Sequence, residues 1–149
     1  MEHKARKFSK KSYDENDEYA KTKITKFLIN RGHKVIQDEE NYNHDLVTIK
    51  DGLMFYFEFE VKRNYPFTSK EDYKFSSVSF LGRKIRLHGI QPYYYMILCY
   101  ETDCVVFCHS SSIFKLDYKE KLILKKYDRN GADEMYRVPI NECEFFNVT

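Results

Sequence analysis

The chain of 149 residues lacks any apolar stretch long enough to cross a bilayer, and its basic start is not followed by the apolar segment of a signal peptide. We therefore expect a cytosolic protein with no membrane partner, in the host cytosol if a phage encodes it. Tryptophan is absent, but 13 Tyr and 12 Phe provide large apolar rings. This length and composition predict one folded domain rather than a disordered chain.

The sequence also lacks two signatures of other site chemistries. There is no Cys-x-x-Cys pair, and Cys99, Cys104 and Cys108 lie in apolar runs typical of strands, where buried free thiols are ordinary. The serine cluster at residues 110–112 has none of the flanking glycines of a nucleophile elbow. A zinc site, a disulfide framework and a serine or cysteine nucleophile are therefore disfavoured.

Charge of one sign is not in excess, because 25 Lys and Arg stand against 23 Asp and Glu. The overall balance therefore says little about partners, but the distribution is uneven. Residues 1–11 hold five Lys or Arg and only one acidic residue. We predict that residues 1–11 form a mobile basic arm and that residues 12–149 form the domain.

The pattern of apolar residues predicts an α/β fold with a helix packed on a mixed sheet. An amphipathic helix is expected over residues 14–31, with Gly32 as its stop, followed by strands at 35–36, 45–50 and 53–62. A loop is expected over 63–72 and a short strand or helix over 75–80. A second hairpin is predicted from 93–100 and 104–109, and residues 115–149 should add edge strands or a last helix.

The most informative segment is the predicted hairpin over residues 45–62. Asp51-Gly52 is a strong turn signal between two β-rich runs, so the two strands should lie side by side. Charges on a strand whose other face is apolar are not needed for folding, so an acid from the neighbouring strand could join Glu60 to hold a divalent metal. Alternation sends Phe57, Phe59 and Val61 to one face and Glu58, Glu60 and Lys62 to the other.

This arrangement resembles the PD-(D/E)XK nuclease superfamily, and it is nearest in pattern to archaeal Holliday-junction resolvases and small phage nucleases. Asp45 matches the first motif position, Glu60 the second and Lys62 the third, while His44 stands where the motif has proline. The resemblance covers roughly residues 14–62, because the order of helix, Gly32, strand and hairpin also fits.

The resemblance implies a restriction-endonuclease-like α/β fold, with a central mixed β-sheet flanked by helices. It implies a Mg²⁺-dependent endonuclease that hydrolyses DNA phosphodiester bonds, with Mn²⁺ as a substitute and with room for a homodimer. Asp45, Glu60 and Lys62 would be catalytic, and Asp45, Glu60 and the backbone carbonyl of Val61 would bind the metal. The alternative is a catalytically inactive nuclease-fold domain that binds nucleic acid or a protein partner.

Many members of the superfamily add an acidic ligand from the first helix. The position expected from Gly32 is near Lys21, which is not acidic, so Glu18 or Asp17 could serve instead. Both could equally be acids that favour the helix dipole. Glu58 lacks a lysine two residues later, so we expect it to be exposed or to support a metal ligand.

A basic cluster completes the candidate site. The basic residues of this cluster alternate with Ile85 and Leu87, and this pattern predicts a strand that carries cations beside the carboxylates. There the cations could hold a phosphate backbone. The alternative is ordinary surface charge. Arg63, just past Lys62, is a further candidate of the same kind. The predicted nucleic-acid-binding residues in this cluster are Arg83, Lys84, Arg86 and His88.

Overall fold

The structure is a computed structural model that describes residues 10–39, 43–122 and 133–149. Its three helices are α1 (Lys10–Asn30), α2 (Ile85–Ile90) and α3 (Ser110–Ile113). Its nine strands are β1 (Lys34–Gln37), β2 (Leu46–Lys50), β3 (Leu53–Lys62), β4 (Ser77–Leu81), β5 (Tyr94–Cys99), β6 (Cys104–His109), β7 (Lys119–Leu122), β8 (Asp133–Pro139) and β9 (Glu144–Asn147). Within these ranges, no helix is long and apolar enough to span a membrane.

Six strands form a central sheet in the order β1-β2-β3-β5-β6-β9. Only β3 and β5 are parallel, and the other neighbours are antiparallel, so the predicted α/β fold with a mixed sheet is confirmed. The hairpin turn is also confirmed, because Asp51 and Gly52 both have positive φ, at 52° and 77°. Those angles suit a two-residue turn between twisted antiparallel strands.

Helix α1 packs on one face of this sheet. Ala20, Ile24 and Leu28 form its buried stripe, which lies against Phe57 and Phe59 of β3. The helix ends before Gly32, whose φ of 97° favours glycine, as the sequence predicted. It begins at Lys10, so the last two residues of the predicted basic arm belong to the helix, and residues 1–9 lie outside the described ranges.

A second sheet, in the order β4-β8-β7, covers the opposite face together with α2. Val78 and Phe80 of β4 and Val138 of β8 are fully buried against β5 and β6. The last part of the chain therefore adds strands rather than a helix, although residues 123–132 lie outside the described ranges. This second sheet buries the face of β3 that carries the three charged residues.

The predicted strand over the basic cluster is wrong. Residues Gly82–Lys84 form a 3-10 turn that leads directly into α2. Strand pairing stops at Leu81, and Gly82 packs directly on β8, where a Cβ would lie 2.6 Å from the Glu134 carbonyl oxygen. The chain must then cross over to reach β5, which runs parallel to β3, and helices usually make such crossovers.

Candidate active site

Asp45 lies where β2 meets β3. The main-chain pairing of the two strands begins at Leu46 with Phe57, one residue after Asp45. The Asp45 side chain extends this pairing, because the Phe59 amide donates to its Oδ2 over 3.0 Å. The carboxylate is therefore fixed along the edge of β3, level with Phe59 and between the positions of Glu58 and Glu60.

Glu58 holds Asp45 from the other side. The Asp45 amide donates to Glu58 Oε2 over 2.7 Å, and the Nζ of Lys84 lies 3.4 Å from Glu58 Oε1. The side chain is only 4% exposed, so the expectation of an exposed residue is wrong, and the remaining alternative of support for Asp45 stands. Burial raises the pKa of Glu58 to about 7, and the attraction of Lys84 offsets only part of that effect.

Glu60 is the next carboxylate on the same face of β3. Its side chain is half-buried, but its Oε2 atom is fully buried and has no hydrogen-bond partner among the described residues. Burial raises its pKa, while the charges of Lys62, Lys84 and Arg83 act in the opposite direction. A buried carboxylate oxygen without a partner costs more than the roughly 1–3 kcal/mol of a neutral polar group, so a partner from outside the protein, such as water or an ion, would stabilise it.

Lys62 lies two residues further along the same face. Its Nζ is 3.5 Å from the Ser79 carbonyl oxygen of β4, which is a long contact. Burial lowers the pKa of this ammonium, and the neighbouring Glu60 charge opposes the shift. Lys62 is therefore a cation that the fold holds in a region poor in water, next to Glu60.

The backbone of Val61 faces the same edge as Asp45. The Lys62 carbonyl accepts from the Tyr100 amide on the β5 side. Phe59 faces the opposite side, where its amide donates to Asp45 and its carbonyl accepts from Lys84. Because peptide groups of a strand alternate in direction, the Val61 carbonyl points to the side of Phe59. The edge of β3 beyond the end of β2 thus presents Asp45, Glu60 and this carbonyl.

A metal ion fits this chemistry with few protein ligands. Within the described ranges, no three His, Cys, Asp or Glu side chains are grouped so that they could hold an ion. Magnesium keeps several waters and is commonly bound by one or two carboxylates, and the oxygen of Glu60 that lacks a partner among the described residues is a ligand of this kind. Asp45 accepts from the amide of the preceding residue, Phe59. Glu18 is exposed on α1, across the sheet from these carboxylates, and the side chain of Asp17 lies outside the description.

The predicted phosphate-contact residues do not share one face. Arg83 and Arg86 are exposed, but Lys84 reaches inward to Glu58, and His88 Nδ1 lies 2.6 Å from Ser110 Oγ. Their helical path separates them in this way, because residues four apart lie on one side of a helix. Lys84 and His88 are therefore tied into the fold, which leaves the two arginines as the exposed cations of this cluster.

Arg63 is held above the sheet by two contacts. Its guanidinium donates to Asn16 Oδ1 over 2.8 Å and lies 3.7 Å from the centre of the Tyr100 ring. It is exposed, so a contact with a phosphate stays a prediction.

Sequence reasoning missed the pairing of Asp45 with Glu58, although a signal was present. Counting outward from the two-residue turn at 51–52 places residue 50 opposite 53 and therefore 45 opposite 58. The inward path of Lys84 had no such signal, because it depends on the turn at Gly82.

Comparison with protein-family models, with curated proteins and with solved structures found no match to this chain. The resemblance to PD-(D/E)XK nucleases therefore rests on the order of the motif residues. It stays a prediction.

Proposed function

We propose that the chain is a metal-dependent endonuclease of the PD-(D/E)XK type, with a restriction-endonuclease-like fold, that hydrolyses DNA phosphodiester bonds. The observation that carries this proposal is the buried Oε2 of Glu60, which has no partner among the described residues and lies one residue after Phe59, whose amide donates to Asp45. A fold gains nothing from burying such an oxygen alone. A cation bound during function would compensate that cost.

The metal ligands in this proposal are Asp45, Glu60 and the carbonyl of Val61. All three are oxygen donors, which Mg²⁺ and Mn²⁺ accept. When bound, the metal supplies an activated water and offsets negative charge on the phosphate.

The chain's own residues do the positioning. The amide of Phe59 orients the Asp45 carboxylate, and the pair of Glu58 and Lys84 fixes the backbone at Asp45. Lys62 presents an ammonium beside Glu60, where it stabilises the charge that develops on the phosphate or orients the attacking water. Burial strengthens this electrostatic effect because it removes competing water.

The second candidate is an inactive nuclease-fold domain that binds nucleic acid or a protein partner. It is favoured by one observation, namely that the described part of α1 places no acid with Asp45 and Glu60. The motif residues Asp45, Glu60 and Lys62 are all present, however, and this favours the active enzyme. Action as a homodimer in the cytosol stays a prediction.

A cleavage assay on plasmid and branched DNA separates these two functions. The wild type should cut DNA with Mg²⁺ or Mn²⁺ and should not cut it with EDTA. Asp45→Asn and Glu60→Gln should abolish cutting and weaken Mn²⁺ binding in calorimetry, because each removes a ligand charge at nearly constant volume. The exposed residues Asp117 and Glu144 provide matched controls, and Asp117→Asn and Glu144→Gln should behave as wild type.

The proposal fails if the wild type cuts none of these DNAs in the presence of metal. It also fails if Glu60→Gln cuts as fast as wild type. Circular dichroism of each variant shows whether a loss of cutting comes from a loss of fold.

A further inference from the structure

A cleft of about 420 Å³ opens beside Lys62. The loop over residues 63–76, strand β4 and strand β8 line it. Among its described lining residues there is no Asp or Glu, so the cleft attracts anions. Its cations are Lys62, Arg63, Lys74 and Arg137.

Aromatic rings form much of the remaining wall. Tyr65 and Phe75 are 59% and 46% exposed, and their ring centres lie 5.5 Å apart. The Nζ of Lys74 lies 5.4 Å from the Tyr65 ring centre and 6.0 Å from that of Phe75. Phe67 and Tyr73 pack together beneath them and fix the base of the cleft. Large exposed rings grouped in this way indicate a ligand-binding surface.

We propose that this cleft binds an unpaired nucleotide of the substrate strand, next to the bond that is cut. The exposed rings of Tyr65 and Phe75 lie at 76° to each other, so one ring would stack on the base and the other would contact its edge. Lys74 would contact a flanking phosphate. Lys62 lines the cleft and is also part of the proposed active site, so a nucleic-acid strand that enters the cleft would continue to the metal ligands. This inference rests on the proposed nuclease function and specifies its substrate as nucleic acid with a single-stranded segment.

The combination of rings and cations favours an unpaired strand over a duplex. In a duplex the base faces are stacked on one another, so a protein meets only phosphates, sugars and base edges. Proteins that hold single strands combine a basic groove with aromatic stacking platforms. The volume of the cleft lies within the usual range for small-ligand pockets, which is too small for a double helix.

Fluorescence anisotropy in EDTA tests the inference, because DNA then binds without being cut. The full chain is titrated into labelled single-stranded DNA, duplex DNA of the same sequence and single-stranded RNA of that sequence. The double variant Tyr65→Leu/Phe75→Leu should bind single-stranded DNA at least about 5-fold more weakly, since stacking contributes roughly 5- to 150-fold per base. Its affinity for duplex DNA should change less than about twofold.

Matched variants separate stacking and charge from damage to the fold. Tyr65→Phe keeps the ring and should bind as wild type does. Lys74→Gln should lower the log-log salt slope for single strands by roughly 0.7. Lys115 also lies near a ring, 5.8 Å from the centre of Tyr118, but outside the cleft, so Lys115→Gln should leave the slope unchanged.

Two results would overturn the inference: equal losses on single-stranded and duplex DNA, or no loss on single-stranded DNA. Stronger binding of RNA with the same loss in the double variant supports the cleft and contradicts the assignment to DNA. If the cleft variants lose affinity but no metal-dependent cutting occurs, the nuclease proposal fails and the binding inference stands. If the wild type cuts duplex DNA and the cleft variants bind single strands as tightly as wild type, the nuclease proposal stands and the binding inference fails.

Discussion

Glu58 and Glu60 stand two residues apart on one face of β3, yet they have different partners. Glu58 accepts from the Asp45 amide and pairs with Lys84, so its burial is partly compensated within the protein. Glu60 Oε2 is buried without a hydrogen-bond partner among the described residues. This difference separates a residue that supports the site from one that is available to bind a cation.

Removing the ammonium of Lys62 should slow the chemical step rather than metal binding. Loss of one group that stabilises transition-state charge costs about 10²- to 10³-fold in rate, so Lys62→Ala should show that loss in single-turnover cutting. Calorimetry should give a Mn²⁺ affinity close to that of wild type. Lys115→Ala, at an exposed lysine, is the control. Equal single-turnover rates for wild type and Lys62→Ala would contradict the role given to Lys62.

The raised pKa of Glu58 predicts how the stability of the metal-free protein depends on pH. Its usual pKa of 4.5 applies in the unfolded chain, whereas burial raises the folded value to about 7. The folded state therefore binds the proton of the Glu58 carboxyl more tightly than the unfolded chain does. The contribution of Glu58 to the free energy of unfolding is full below pH 4.5 and is lost as pH rises through 7. The shift corresponds to about 3 kcal/mol.

Urea unfolding of wild type and Glu58→Gln in EDTA measures this contribution. Relative to the variant, the wild type should lose up to about 3 kcal/mol in free energy of unfolding between pH 4 and pH 8. The glutamine cannot titrate, so the difference isolates Glu58. A difference that stays constant with pH would mean that Glu58 titrates normally in the folded protein.

At the scale of elements, local sequence patterns predicted the features that depend only on residues close in sequence. The bounds of β3, the turn at Asp51 and Gly52, and the helix stop at Gly32 depend on neighbours in sequence, and the structure has them as predicted. The segment 83–88 was predicted as a strand because its charged residues alternate with Ile85 and Leu87. It is helical instead: strand pairing ends at Leu81, and Gly82 then packs against a strand some fifty residues later, a contact that a local pattern does not contain.

The same limit applies to the candidate site. Alternation placed Glu58, Glu60 and Lys62 on one face, and the structure has them there. It did not show that β4 and β8 would cover that face, so the burial of Glu58 was missed. Burial, rather than spacing, sets the pKa values of these groups.

The helical path of the basic cluster changes which cations should bind DNA. Arg83 and Arg86 are exposed, whereas Lys84 pairs with buried Glu58. The double variant Arg83→Ala/Arg86→Ala should weaken binding of every DNA sequence and reduce the log-log salt slope by roughly one unit per lost contact. Lys84→Ala should instead lower the free energy of unfolding, because it leaves a buried carboxylate without its cation.

Anisotropy at several salt concentrations, together with urea unfolding, separates these two outcomes. Lys115 is exposed and lies outside the cleft, so Lys115→Ala serves as a control for loss of a surface cation. Unchanged affinity and slope in the double arginine variant would place the DNA path elsewhere on the molecule.

At the scale of the whole molecule, the two faces of the central sheet have different roles. Helix α1 covers one face with apolar contacts alone at its buried stripe, and the second sheet covers the face that carries the carboxylates. The site lies where β2 ends and β3 continues, because Asp45 accepts there from the amide of Phe59, the residue before Glu60. The basic cleft beside Lys62 opens from this same region.

The central claim is that Asp45 and Glu60 bind a divalent cation together. The most direct test is an anomalous-difference map from crystals of the full chain soaked in Mn²⁺. We expect a peak within coordination distance of both carboxylates, and we expect this peak to be absent in Glu60→Gln crystals. A map with no peak at this edge in wild-type crystals, or a peak that persists unchanged in the variant, would contradict this claim.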